Sequence, residues 1–197
     1  VDNGADINCK NADDETALHI AAQHDSLKIA KYFVEHGAEI GDNGSPLHFN
    51  AIRDCKESSL RMVKYLVKHG ADLNVKGTWI MTAPHDLVES KSLEIVKYLV
   101  EHGADIQCKS VDNNTVLHYA AYSGSLALTK YFIKCGAHVS CKNIDDDTPL
   151  HYAARLNLLE MIKDLVESGA DVNCKSKSND TALSHAVKAG SLAIVEY

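Results

Sequence analysis

Thr148-Pro149-Leu150-His151-Tyr152-Ala153-Ala154, followed further on by Gly169-Ala170-Asp171-Val172-Asn173, is the stretch from which the architecture can be read. Thr148 is a hydroxyl N-cap, and Pro149 falls at the first helical position, where its missing N–H costs nothing. An earlier copy, Thr16-Ala17-Leu18-His19-Ile20-Ala21-Ala22, places Leu18, Ala21 and Ala22 on one face of a short helix whose alanines allow close approach. Leu27, Ile29, Ala30, Phe33 and Val34 then form an apolar stripe at helical spacing that stops at His36-Gly37. Gly37 suits the left-handed position just past a helix C-terminus, and His36 complements the helix dipole there. A polar connector leads to the next N-cap, so the predicted unit is helix, turn, helix and a projecting loop or hairpin.

Gly-Ala recurs at Gly4, Gly37, Gly70, Gly103, Gly136 and Gly169, always 33 residues apart. Leu27, Leu60, Leu93, Leu126, Leu159 and Leu192 keep the same beat. A period of this size marks a stacked repeat in which each unit buries its apolar face against its neighbours. The predicted repeats are 13–42, 43–75 (irregular), 79–108 (degenerate), 112–141, 145–174 and 178–197 (truncated), with 1–12 as the tail of a preceding one. Both ends cut through a unit, so the expectation is a single domain over 1–197 that is a fragment of a longer array.

The Thr-Pro-Leu-His start at Thr148 and the Gly-Ala-Asp-Val-Asn end at Gly169 resemble the ankyrin repeat family, and the resemblance covers the whole chain in five to six units in phase. The resemblance implies an all-α solenoid: an outer layer of helices, and an inner layer carrying hairpin fingers. It also implies a non-enzymatic scaffold that binds a protein partner through the concave face of fingers and inner helices, as a monomer. By the same resemblance the exposed, variable positions are Ala12, Asp13, Glu15, Gln23, Thr78, Trp79, Met81, Val111, Asp112, Asn114, Tyr122, Ile144, Asp145, Asp147 and Arg155. A reading from a different class makes the array a structural spacer or intramolecular docking element of a larger channel, toxin or effector. A third makes it a substrate, because Asn8, Asn74 and Asn173 stand where ankyrin repeats can be hydroxylated.

Composition narrows the partner. A formal charge of −7 argues against nucleic acid, which draws on clustered Lys and Arg, and favours a neutral or basic protein. No apolar run is long enough to span a bilayer, and Val1-Asp2-Asn3-Gly4 has neither region of a signal peptide. Cys9, Cys108, Cys141 and Cys174 share one repeat position. Layers about 8–10 Å apart are too distant for a disulfide. These cysteines are therefore read as small buried thiols, with Cys55 and Cys135 unpaired and a reducing, cytoplasmic setting preferred.

Function is sought where one repeat departs from the others. In the second, the connector from Gly37 to Ser45 is shorter than that from Gly4 to Thr16, and the missing residues reappear in Arg53-Asp54-Cys55-Lys56-Glu57-Ser58. A stunted finger and a bulging inter-helix turn are expected there, with Asn50 in need of a hydrogen-bond partner. In the third, Thr82-Ala83-Pro84-His85 disturbs the first helix, and the finger Gly77-Thr78-Trp79-Ile80-Met81 is apolar where its sisters are acidic. Two readings of Trp79 stand: an exposed binding anchor, or a ring folded back to fill the space of the irregular helix. If it is an anchor, Trp79→Ala should weaken partner binding by about 2 kcal/mol or more.

Catalytic and metal readings gain no support from spacing. His19, His48, His85, His118 and His151 hold one repeat position, with His185 a place later, and a position reused in every layer is a packing solution. Cys55 and Cys135 lack an orienting histidine. The triplets Asp13-Asp14-Glu15, Asp112-Asn113-Asn114 and Asp145-Asp146-Asp147 read as solvated tips, because adjacent turn residues rarely converge on a cation. Lys10, Lys76, Lys109, Lys142 and Lys175 form a ladder beside them, and Tyr32, Tyr65, Tyr98, Tyr131 and Tyr197 a half-exposed row on the second helices, broken by Asp164. No cofactor is expected.

Overall fold

The computed structural model describes residues 4–40, 46, 57–74 and 92–197. Its described helices are α1 (Ala17–Gln23), α2 (Leu27–Glu35), α3 (Glu57–Lys68), α4 (Leu93–Glu101), α5 (Val116–Tyr122), α6 (Leu126–Lys134), α7 (Pro149–Arg155), α8 (Leu159–Glu167), α9 (Ala182–Lys188) and α10 (Leu192–Glu196). No strand occurs among the described residues. The chain forms two compact units, residues 1–105 and 106–197. In the second, α5–α6, α7–α8 and α9–α10 are three successive helix-turn-helix layers.

The first helix of a layer starts where its threonine says it should. Thr16, Thr115, Thr148 and Thr181 are N-caps in extended backbone, each closing a reciprocal capping box with the third helical residue. That residue is His19, His118 or His151, and in the last layer Ser184. The second helices end differently. His36, His69 and His102 place Nδ1 2.7, 2.8 and 2.7 Å from the carbonyls of Tyr32, Tyr65 and Tyr98, a second bond to acceptors that also take the histidine's own backbone N–H. Gly103 and Gly136 follow at φ +99° and +84°, a backbone that suits a residue without Cβ.

Packing follows the alanine pattern. Ala120, Ala121, Ala153 and Ala154 are fully buried, so α5, α7 and α9 approach closely, while Leu117, Phe132, Leu150, Met161 and Leu165 fill the space behind them. Between layers, side chains from the stretch after one glycine grip the next. Asn74 donates from Nδ2 to Gly103 O (3.3 Å) and accepts at Oδ1 from Asp105 N–H (2.8 Å). Asn8, two repeats before Asn74, and Gln107, one repeat after it, make the same pair of bonds to Gly37 and Glu39 and to Gly136 and His138.

Two local expectations change. Helix α3 begins at Glu57, three residues ahead of the Leu60 register, so Glu57 and Ser58 of the segment read as a bulging turn are helical. The finger between Gly37 and Ser45, Arg53–Lys56 and Asn50 lie outside the described residues. Cys9, Cys108, Cys141 and Cys174 are not buried thiols: Cys9 is exposed and the other three are half-buried, and neither these nor exposed Cys135 is in a disulfide. Their repeat position is in the connector at the edge of the layer, beside rather than under the helices. In the tyrosine row Tyr65, Tyr98 and Tyr131 are half-exposed while Tyr32 and Tyr197 are exposed, and Tyr32, Tyr65 and Tyr98 pack against His36, His69 and His102 at ring separations of 4.0, 4.1 and 3.9 Å. Lys31 and Lys64 lie over the Tyr65 and Tyr98 rings at 5.7 and 5.5 Å.

Candidate protein-binding surface

Each described finger is a tight turn closed by two backbone bonds and shaped by a left-handed Asx residue at its tip. In the finger of residues 143–147, Asn143 N–H donates to Asp147 O (3.0 Å) and Asp146 N–H to Asn143 O (3.1 Å), with Asp146 at φ +58°. Asn143 Oδ1 also accepts from the Asp145 and Asp147 amides at 2.9 and 3.0 Å. Asn11 does the same for Asp13 and Glu15 at 3.0 and 2.9 Å, with Asp14 at φ +62°. Adjacent fingers of the second unit are joined through their backbones: Ile144 N–H to Asp112 O (2.9 Å) and Lys177 N–H to Asp145 O (2.8 Å).

Asn143 ties the finger to the helix behind it. Its Nδ2 donates to Asn114 Oδ1 of the preceding finger (3.0 Å) and to the Tyr152 hydroxyl oxygen (3.1 Å). Arg155, one turn on from Tyr152, donates from Nη2 to Asp147 Oδ2 at 2.7 Å and lies 5.3 Å from the Tyr152 ring centroid. Tyr122 meets the same ring edge-on at 6.5 Å. Burial, together with the Asp147 carboxylate, raises the Tyr152 pKa, which keeps its hydroxyl protonated. In the following layer Lys188 takes both Asp180 oxygens at 2.7 and 2.8 Å, and this pairing holds the Asp180 carboxyl below its ordinary range.

The buried histidines brace these fingers from below. His118 accepts the Thr115 N–H at Nδ1 (3.0 Å), so its proton is on Nε2, which donates to Asp147 O (3.0 Å). His151 makes the equivalent bonds to Thr148 N–H (3.1 Å) and Asp180 O (3.2 Å). Burial lowers the His118 pKa to about 4, against partial opposition from the Asp147 carbonyl. An imidazole fixed between an amide and a carbonyl, and uncharged at neutral pH, is a strut.

Of the positions read as exposed, Val111, Asp112, Tyr122, Ile144, Asp145 and Arg155 are exposed in the second unit, and Asn114 is half-buried. Asp147 is a correction. It is 7% exposed, because the third residue of the triplet turns back beneath the finger to hold Arg155. In the first unit Ala12 and Asp13 are exposed, and Glu15 and Gln23 half-buried. Thr78, Trp79 and Met81 lie outside the described residues, as do His48 and His85. Sequence reading passed over Asn143, Tyr152, Lys177, Asp180 and Lys188. The available signal was an acid eight residues before a base, Asp147 to Arg155 and Asp180 to Lys188, repeating with the 33-residue period.

Among the described residues no group of three or more His, Cys, Asp or Glu is placed to hold a metal, and no helix is long and apolar enough to cross a membrane. A cleft of about 470 Å³ in the second unit is lined by Leu150, Ile162, Val166, Leu183, Ile194 and Tyr197 among others. No curated protein matches the chain. A family model described as ankyrin repeats matches residues 1–77, 55–143, 85–176 and 117–197. Ankyrin repeats are generally protein–protein interaction modules and are typically non-enzymatic. With these matches together spanning residues 1–197, the chain belongs to the ankyrin repeat family.

Proposed function

We propose that the fingers and the exposed edge of the first helices hold a protein partner along the concave face, and that the chain performs no catalytic step. The observation that carries this reading is the preset group Asn143–Tyr152–Arg155–Asp147 beside exposed Tyr122. Tyr and Arg are the residue types that dominate binding hot spots, and side chains ordered before the partner arrives lose less entropy on binding. Asp147 anchors Arg155 while 48% of the Arg155 side chain stays accessible.

The test is capture of partners from the native source by the full chain, against Tyr122→Ala, Arg155→Ala and the pair together. Loss of the captured protein with unchanged helical circular dichroism is the expected result; an identical captured set refutes the placement. Trp79, Thr78 and Met81 belong to the same proposed surface, and Trp79→Ala in the same assay should cost about 2 kcal/mol.

A further inference from the structure

We infer that the segment held by residues 106–197 is extended and acidic, with an apolar side chain leading its carboxylates. This rests on the finger-side reading above and adds the partner's chemistry, replacing the neutral or basic partner that the net charge alone suggests. Equivalent positions change character from layer to layer. At the fingers the series is Val111, Ile144, Lys177, and at the ends of the first helices Tyr122, Arg155, Lys188. The first layer therefore presents apolar and aromatic surface, with Val111 54% and Tyr122 63% exposed, and the last presents cations.

The charges already neutralised leave a definite remainder. Arg155 is matched by Asp147 and Lys188 by Asp180. Exposed Lys177, which stands where the earlier fingers carry Val111 and Ile144, forms no ion pair among the described residues; exposed Lys175 only repeats Lys109 and Lys142 of the earlier layers, so Lys177 is the cation that sets the last layer apart. Asp112 and Asp145 are exposed on the two earlier fingers, where a carboxylate of the partner would be repelled. Acidic groups are thus accepted in the last layer and disfavoured before it, which fixes the direction of the bound chain. Layers about 10 Å apart correspond to about three residues of extended chain each. An apolar side chain seated in the first layer therefore precedes the carboxylates by about six residues.

The probes are fluorescein-labelled octapeptides, Trp-Ser-Gly-Ser-Gly-Ser-Glu-Glu and its counterpart ending Lys-Lys, titrated onto the full chain and followed by fluorescence anisotropy. The acid-ended peptide should bind about 10-fold more tightly or better, and lose affinity as salt rises. Lys177→Glu should reverse the preference, Tyr122→Ala should weaken both peptides, and Lys134→Glu on a second helix should change neither. Equal binding of the two peptides, or no binding of either, overturns the acidic assignment. If binding is equal but still falls with Tyr122→Ala, the finger-side reading survives; if neither Tyr122 nor Lys177 matters to binding, that reading fails as well.

Discussion

Lowering the pH should loosen the stack through His118, and the size of the effect follows from its two bonds. The ring is 1% exposed, with Nδ1 committed as acceptor to the Thr115 amide and Nε2–H as donor to Asp147 O. A second proton would have to sit on Nδ1, against the Thr115 N–H at 3.0 Å and beside the Thr115 hydroxyl at 2.9 Å, in a site that cannot solvate the charge. With a folded pKa of about 4 against an ordinary 6.5, the folded state binds fewer protons than the unfolded one throughout that interval. The histidine's contribution is therefore complete above pH 6.5, declines as the pH falls, and is gone below about pH 4. At 1.36 kcal/mol per unit the loss amounts to about 3 kcal/mol. Urea denaturation of the full chain and of His118→Gln at pH 7, 5.5 and 4 isolates this contribution. The stability gap between them should be widest at pH 7 and close by about 3 kcal/mol at pH 4. Titration of the His118 ring by NMR in the folded chain supplies the independent check. A gap that does not change with pH, or a ring that titrates near 6.5, refutes the account of His118 as a neutral strut.

Asn74→Ala removes two inter-layer bonds, to Gly103 O and from Asp105 N–H, and should cost about 1–2 kcal/mol in urea denaturation, with no change in helical signal. Gly136→Ala adds a methyl that meets nothing within 4 Å at φ +84°, so thermal melting should register only the backbone cost of about 1 kcal/mol; a much larger loss would mean a contact the geometry does not contain. Asp147→Asn removes a carboxylate that raises the Tyr152 pKa, so that hydroxyl should titrate at lower pH than in the parent, as followed by NMR of the Tyr152 ring.

How far the sequence disclosed these features depends on whether a residue acts within its own repeat or across two. The Thr–His capping box spans four consecutive residues, and the glycine past the second helix is required by one backbone angle, so both are written locally and repeat every 33 residues. Asp147 was misjudged because a triplet of acids looks uniformly solvated in one dimension. In the fold the first residue stands clear, the second supplies the left-handed angle, and the third passes under Asn143 to meet Arg155 eight residues on. The cysteines were misjudged for a related reason: period locates a residue within the layer but does not say whether that part of the layer is covered. Helix α3 shows a third limit. A conserved 33-residue total allows residues removed from a finger to be spent in lengthening the second helix, and nothing in the count distinguishes that from a longer turn. The proposed recognition surface is the extreme case. Asn114, Asn143, Tyr152, Asp147 and Arg155 come from two fingers and one helix, and they meet only because Asn143 reaches both the neighbouring finger and the tyrosine behind it. A scaffold made of identical solutions can be read from any one copy; the surface it offers a partner exists only where two copies touch.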